Sequence, residues 1–301
     1  MPPVRPLLSI STGTTSRFAL FLSGSGTNAE KVLDHLAALG GKGTCQAAAL
    51  VTDAPETSRA RELGATYGLP VIEHDIRAYY AARGETRFSI ATPRGQEIRQ
   101  EWTDELRAKL ADVAIDFGVL AGFVPLTNIT GDFPCLNVHP GDLTYRKDGA
   151  RWLVGLHTVP IERAILEGLD HLRTSVIQAL PYTGKGDDMD NGPILGLSPE
   201  VRIDLEGTPV EELAACFAKR PAKRPKGGYG DRLEELAQLN QERLKVGGDW
   251  VVLPRVVVDF GHGRFGLAEN GQLHYRMGSN WHPIETVVYD TTGKEVVFAE
   301  S

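Results

Sequence analysis

Three observations predict an α/β fold, a doubly wound and mostly parallel Rossmann-like sheet. Strand and helix signals alternate through the first two thirds of the chain. A glycine-rich turn, Ser23-Gly24-Ser25-Gly26-Thr27-Asn28, follows the first apolar run and opens an amphipathic stretch. Polar residues then recur at the ends of later apolar runs, where such a sheet opens its ligand crevice.

The elements follow in order. Residues 17–23 read as a short strand, and 28–38 as a helix with Val32, Leu33, Leu36 and Ala37 on its apolar side. Residues 46–52 read as a second strand, and 55–67 as a helix stopped by Gly68 with Pro70 just beyond. A third strand is expected at 70–73, a helix at 96–111 and a fourth strand at 113–122. Cys135 and Leu136 precede Asn137 and His139, which reads as the end of another buried strand. A helix at 159–168 precedes a strand at 173–180, and further apolar runs lie at 193–197 and 250–260. Between these runs stand a basic, proline-broken stretch at 219–226 and a helix at 231–245. After Gly263, short β-like runs such as 273–277 and 286–289 predict a small β-rich tail. The expected organisation is one unit over 17–262 and a C-terminal extension over 263–301.

Composition narrows the function classes. With 301 residues, 42% hydrophobic and 24% charged, the chain can bury a sizeable core plus an appendage. A net charge of −7 argues against a dedicated nucleic-acid binder. Five cations without interleaved aromatics at 219–226 are a poor RNA signature and read more readily as a solvated loop. Cys45, Cys135 and Cys216 lie far apart without metal-ligand spacing, and no metal site is indicated. They read as small buried residues of a reducing compartment. The first sixteen residues hold too short an apolar run for a signal segment or a membrane span, so a cytoplasmic location is expected, with no membrane partner. A homo-oligomer is left open.

The chemistry-bearing residues are divided between two segments, Asn137-Val138-His139-Pro140 and, about fifty residues on, Asp190-Asn191-Gly192-Pro193. Asn137 and His139, two apart in a strand, face the same side. An amide and an imidazole there can act on one carbonyl oxygen, and a nearby carboxylate can move a proton. The glycine loop admits two readings. Its backbone N–H groups and helix dipole suit any anion. Ser25, Thr27 and Asn28 suit a terminal phosphomonoester, whereas Gly24, Gly26, Ala29 and Asp53 loosely match a dinucleotide fingerprint.

Taken as an ordered set, Ser23 to Asn28, Leu120-Ala121-Gly122-Phe123, Leu136 to Pro140 and Asp190 to Pro193 resemble the folate-dependent formyltransferases, most closely their phosphate-recognising glycinamide ribonucleotide branch. Gly155-Leu156-His157-Thr158 and Thr174-Ser175-Val176 agree more weakly. The resemblance implies formyl transfer from 10-formyltetrahydrofolate, a co-substrate, to the amine of a small phosphorylated acceptor. It implies catalytic roles for Asn137, His139 and Asp190, with Asp190 holding His139 cationic and accepting the amine proton. Gly24, Ser25, Gly26, Thr27 and Asn28 would take the phosphate. Leu120, Gly122, Phe123, Val124, Leu126 and Met189 would flank the pterin, as would the 184–190 loop, and Arg94 and Pro140 would adjoin the acceptor.

Several positions depart from the family pattern. Gly141-Asp142-Leu143-Thr144 replaces the usual Ser-Leu-Leu-Pro after His-Pro, and extra residues at 145–152 follow. Pro125 lacks a backbone N–H, and Ile177 stands where a His is common. Three other readings remain: a formyltetrahydrofolate hydrolase, a dinucleotide-binding oxidoreductase, and a folate or phosphate binder without turnover.

Overall fold

The computed structural model describes residues 3–11, 13–40, 45–156, 158–181 and 189–299. The chain opens with β1 (Val4–Pro6), β2 (Ser16–Phe21), α1 (Thr27–Ala38), β3 (Cys45–Thr52), α2 (Ala60–Tyr67) and β4 (Val71–Glu73). Next come α3 (Ile76–Ala81), α4 (Pro93–Leu110), β5 (Phe117–Leu120), β6 (Cys135–His139), β7 (Arg146–Lys147) and β8 (Ala150–Arg151). Then follow α5 (Val159–Leu166), β9 (His171–Leu172), β10 (Ser175–Ala179), β11 (Ile194–Leu197), β12 (Val201–Arg202), α6 (Val210–Ala218) and α7 (Arg232–Leu244). A π-helical turn, Lys245–Asp249, leads into α8 (Trp250–Gly261) and the strands β13 (Phe265–Ala268), β14 (Leu273–Met277), β15 (Asn280–Tyr289) and β16 (Lys294–Phe298).

The doubly wound sheet is present. Its first half runs β4-β3-β2-β5-β6 with every neighbouring pair parallel. Alternation along β2 explains the two faces, because successive side chains of a strand point to opposite sides. Phe18 and Leu20 pack with α1, α2 and α8 through Val32, Leu63 and Val256, while Ala19 and Phe21 pack with α3 and α4 through Tyr80 and Trp102. Both faces are covered, so the strands read as continuous apolar runs. Beyond β6 the sheet turns antiparallel through β10 and β11, and β15 then lies parallel to β11 at Leu197 and Val288.

Local chemistry accounts for elements that the sequence reading misplaced. Helix α4 starts at Pro93 rather than at 96, with Pro in the first turn and the Thr92 hydroxyl accepting from Gly95 N. Helix α3, unforeseen, is capped by Asp75, which accepts from Ala78 N at 2.9 Å. The run at 250–260 is a helix buried on nearly all sides between sheet and α1. The strand expected at 113–122 is regular only over Phe117–Leu120.

The β-rich C-terminal region is there, and it extends the central sheet. Strands β15, β14 and β13 continue outward from β11, and the unforeseen N-terminal β1 closes that edge. Buried Asp259 on α8 binds the region. Its carboxylate accepts from the Tyr275 and Tyr289 hydroxyls, each at 2.7 Å, and pairs with Lys294 at 2.5 Å and Arg264 at 3.2 Å.

The basic stretch is not simply a solvated loop. Arg220 is nearly buried and pairs with Glu162 on α5 at 2.5 Å and with Asp231 at 2.7 Å. Arg224 pairs with Glu234, while Lys219, Lys223 and Lys226 stay exposed. Two of the five cations therefore tie α6 and the following loop to α5 and α7. Among the described residues, no helix is long and apolar enough to cross a membrane.

Asp259→Ala leaves two buried hydroxyls and a lysine without their shared acceptor. We expect a loss of about 3 kcal/mol of stability, read from denaturant unfolding, with protection from hydrogen exchange falling first in β14 and β15.

Candidate active site

The crevice opens where the strand order reverses, between the carboxyl ends of β2 and β5. Ser23, Gly24, Ser25, Gly26, Thr27 and Asn28 line a cavity of about 260 Å³ with Ala121, Gly122, Val124 and Lys245. Gly26 sits at φ 64° before α1, and a Cβ there would meet Leu22 Cδ1 and Leu63 Cδ1 at 2.9 Å, so only glycine lets the loop turn into the helix. Backbone N–H groups at the start of α1 suit an anion here, and Lys245 borders the cavity with its ammonium paired to Glu242 at 2.8 Å.

Behind this loop stands Asp249, half-buried. It accepts from Asn28 Nδ2 at 3.0 Å and from Thr174 Oγ1 at 2.6 Å. Burial pushes its carboxyl pKa up, while those two hydrogen bonds pull it down. The loop, the residue ahead of β10 and the π turn are thereby fastened together, while the Lys245 ammonium is held by Glu242. Lys245 and Asp249 were missed in the sequence, where the available signal was the Gly247-Gly248 pair breaking a helix between two polar residues.

The divided constellation is brought together. Asn137 Nδ2 donates to Asp190 Oδ1 at 3.3 Å, and His139 Nδ1 lies 3.7 Å from Asp190 Oδ2. On the opposite side of the ring, His139 Nε2 bonds the Leu153 carbonyl at 2.7 Å. That contact makes Nε2 the N–H nitrogen and leaves Nδ1 facing the carboxylate. Burial drives the His139 pKa below its ordinary range, with Arg151 acting in the same sense; Asp190 and the Leu153 carbonyl oppose them. Burial thus favours the neutral imidazole, with its unprotonated Nδ1 turned toward the Asp190 carboxylate.

The other expected residues divide between lining and packing. Gly122 and the 63% exposed Val124 stand at the lip of the cavity. Leu120 belongs to the core, and Phe123 and Leu126 pack onto it from partly buried positions. Phe123 meets the Phe21 ring edge-on at 5.5 Å. Met189 opens the 3₁₀ turn Met189–Asn191 that carries Asp190. Pro140 follows His139 directly and is half-buried. Arg94 sits half-exposed on the first turn of α4, where it pairs with Glu97 at 2.5 Å. Ile177 lies opposite Asn137 in the β6–β10 ladder, and His157 and most of the 184–190 loop fall outside the described residues. Asp53 is buried and accepts from the Ser23 hydroxyl at 2.5 Å. Among the described residues, no group of three His, Cys, Asp or Glu side chains is arranged to hold a metal ion.

Comparison of the fold with solved structures finds three informative likenesses. Glycinamide ribonucleotide transformylase 1 from Symbiobacterium toebii is 21% identical, with a TM-score of 0.51, 88% of this chain and 96% of that one being covered. Phosphoribosylglycinamide formyltransferase from Coxiella burnetii is 16% identical at a TM-score of 0.54, with 89% and 96% covered. Formyltetrahydrofolate deformylase from Burkholderia mallei is 14% identical at a TM-score of 0.50, with 88% and 71% covered. No family model matches the chain, and no curated protein matches it. The likenesses establish a shared fold.

His139 is expected to titrate below about 6.5. Asp190→Asn removes the carboxylate that raises this value and moves it lower still. Imidazole carbon shifts followed by NMR over pH read both; titration above the ordinary histidine value overturns the assignment.

Proposed function

We propose that this chain, which has the formyltransferase fold, moves a formyl group from 10-formyltetrahydrofolate to the amine of a small phosphorylated acceptor resembling glycinamide ribonucleotide. The observation that carries this reading is an anion cradle and an amide–imidazole–carboxylate group on neighbouring strand ends. Phe21, Leu120 and Asn137 are in register across β2, β5 and β6. Two strand spacings, about 10 Å, therefore separate the phosphate loop from the reaction centre. An acceptor with its phosphate on residues 24–28 and Lys245 spans that gap and brings its amine beside Asn137.

The donor supplies a formyl carbonyl on a nitrogen leaving group. Asn137 has a second amide N–H besides the one given to Asp190, and it donates to the formyl oxygen as charge grows there, an interaction worth about 3–4 kcal/mol. The amine nitrogen forms its bond to the formyl carbon, and neutral His139 takes the amine proton on Nδ1. Asp190 stabilises the resulting imidazolium. The proton then passes to the folate nitrogen as its bond to the formyl carbon breaks. Exposed Val124 and Gly122 offer an apolar edge for the pterin beside this centre.

Hydrolysis on the same fold is the second reading, since water can replace the amine. The Lys245 and glycine-loop cavity favours transfer, because hydrolysis needs no phosphate site. The dinucleotide reading is weakened by Asp53, whose carboxylate is buried against Ser23 rather than offered to a ribose. With transfer goes a cytoplasmic role in purine biosynthesis.

The assay supplies 10-formyltetrahydrofolate with and without glycinamide ribonucleotide. Amine-dependent formylation supports transfer, whereas formate release without amine supports the deformylase. His139→Ala should lower kcat about 10²- to 10⁴-fold, and an unchanged rate sinks the catalytic role. Lys245→Ala should raise KM for the phosphorylated acceptor about tenfold with kcat nearly unchanged. Its effect should vanish with a dephosphorylated acceptor.

A further inference from the structure

The residues that depart from the family pattern at 141–154 grip both halves of the reaction centre. Strands β7 and β8 form a hairpin, pairing Arg146 with Arg151 and Lys147 with Ala150. From β8, Arg151 reaches the turn that carries Asp190. Its Nη1 donates to the Asp190 carbonyl, and its Nη2 donates to the Gly192 carbonyl at 2.8 Å. Two residues on, the Leu153 carbonyl accepts from His139 Nε2 at 2.7 Å. Gly141 permits this approach, because a Cβ there would lie 2.5 Å from the Leu153 oxygen and 3.2 Å from His139 Nε2. Ser175 locks the same loop by donating to the Gly141 carbonyl at 2.7 Å and accepting from Leu143 N at 3.0 Å.

The guanidinium is half-buried, and both its contacts to this turn are to main-chain carbonyls, so the Asp190 carboxylate stays free for Asn137 and His139. A fork of two N–H groups fixes the orientation of the turn in a way a point charge does not. The orientation matters because the 3.7 Å between His139 Nδ1 and Asp190 Oδ2 is longer than a hydrogen bond. A shift of less than an ångström in the turn decides whether a proton transferred to Nδ1 comes within hydrogen-bond reach of the carboxylate.

We propose that Arg151 is a positioning residue, which sets Asp190 against His139 by clamping the main chain of residues 190–192, within a brace formed by residues 141–153. The proposal rests on the reading of Asn137, His139 and Asp190 as the formyl-transfer centre. Three groups act on the His139 ring: Asp190 from its turn, Arg151 from β8 and the Leu153 carbonyl; Asn137, from the same strand as His139, shares the Asp190 carboxylate.

Arg151→Lys keeps the charge and loses the fork, which separates clamping from electrostatics. We expect kcat to fall about 10- to 100-fold with KM for the acceptor nearly constant. The His139 titration should move to lower pH, because the carboxylate withdraws while the cation remains. In an Asp190→Asn background, Arg151→Lys should cost little more, since the two act as a unit. Arg151→Gln is the second variant, read by kcat and by the same double substitution, should the lysine variant fail to fold. Wild-type kcat with an unmoved His139 titration in Arg151→Lys overturns the proposal, as do fully additive losses with Asp190→Asn. If the unsubstituted chain shows no amine-dependent transfer, the functional reading fails, and the titration in Arg151→Lys still decides the clamp.

Discussion

Parallel pairing of β2, β5 and β6 is the constraint on which the rest depends. Parallel strands leave the sheet in the same direction, so the loops after Phe21, Leu120 and His139 all emerge at one end. Their spacing is set by backbone hydrogen bonds. The anion cavity and the amide–imidazole pair therefore stand a fixed distance apart whatever the loops do. Only the carboxylate comes from elsewhere, on the turn between β10 and β11, and it needs its own means of being held in place.

Electrostatics at the centre follow from that burial. His139 lies under the 141–153 segment, and its ring has a carbonyl on one nitrogen and a carboxylate on the other. Desolvation favours the neutral ring, whereas the carboxylate favours the cation. The net effect favours the neutral ring, and the carboxylate lessens the cost of the charge when a proton arrives. That is a useful property for a group that both accepts and returns a proton. The phosphate side is different. Its cation, Lys245, pairs with Glu242 and stands on a π turn whose Asp249 is tied to Asn28 of the glycine loop and to Thr174 just ahead of β10.

The periphery carries its own logic. Helices α5, α6 and α7 share a small core around Leu213, Leu233 and Leu236, and Arg220 joins them through Glu162 and Asp231. At the far side, the β-rich tail extends the sheet, and its polar centre, Asp259, is buried among two tyrosines and two cations. Breaking one partner of such a cluster exposes the others to an unmet desolvation cost.

Much of this architecture was legible along the chain. Alternating apolar runs, the turn at Gly26, and the same-side placing of Asn137 and His139 are local matters. They follow from strand and helix periodicity and from glycine's freedom at positive φ. The departures at Gly141 and 145–152 were visible too, but not their use. Arg220 and Arg224 read as solvent-facing because charge runs usually are, and their acidic partners are distant in sequence or in the next helix. Whether Asp190 meets His139, where Lys245 points, and what Arg151 clamps depend on segments tens to hundreds of residues apart. Periodicity specifies which face a residue occupies; only packing of one element against another specifies what that face meets. The sequence by itself thus determined the sheet, its crevice and the residue types at the strand ends. Tertiary structure alone decided the distances among them, because those distances are set by strand pairing and by hydrogen bonds between segments remote in the chain.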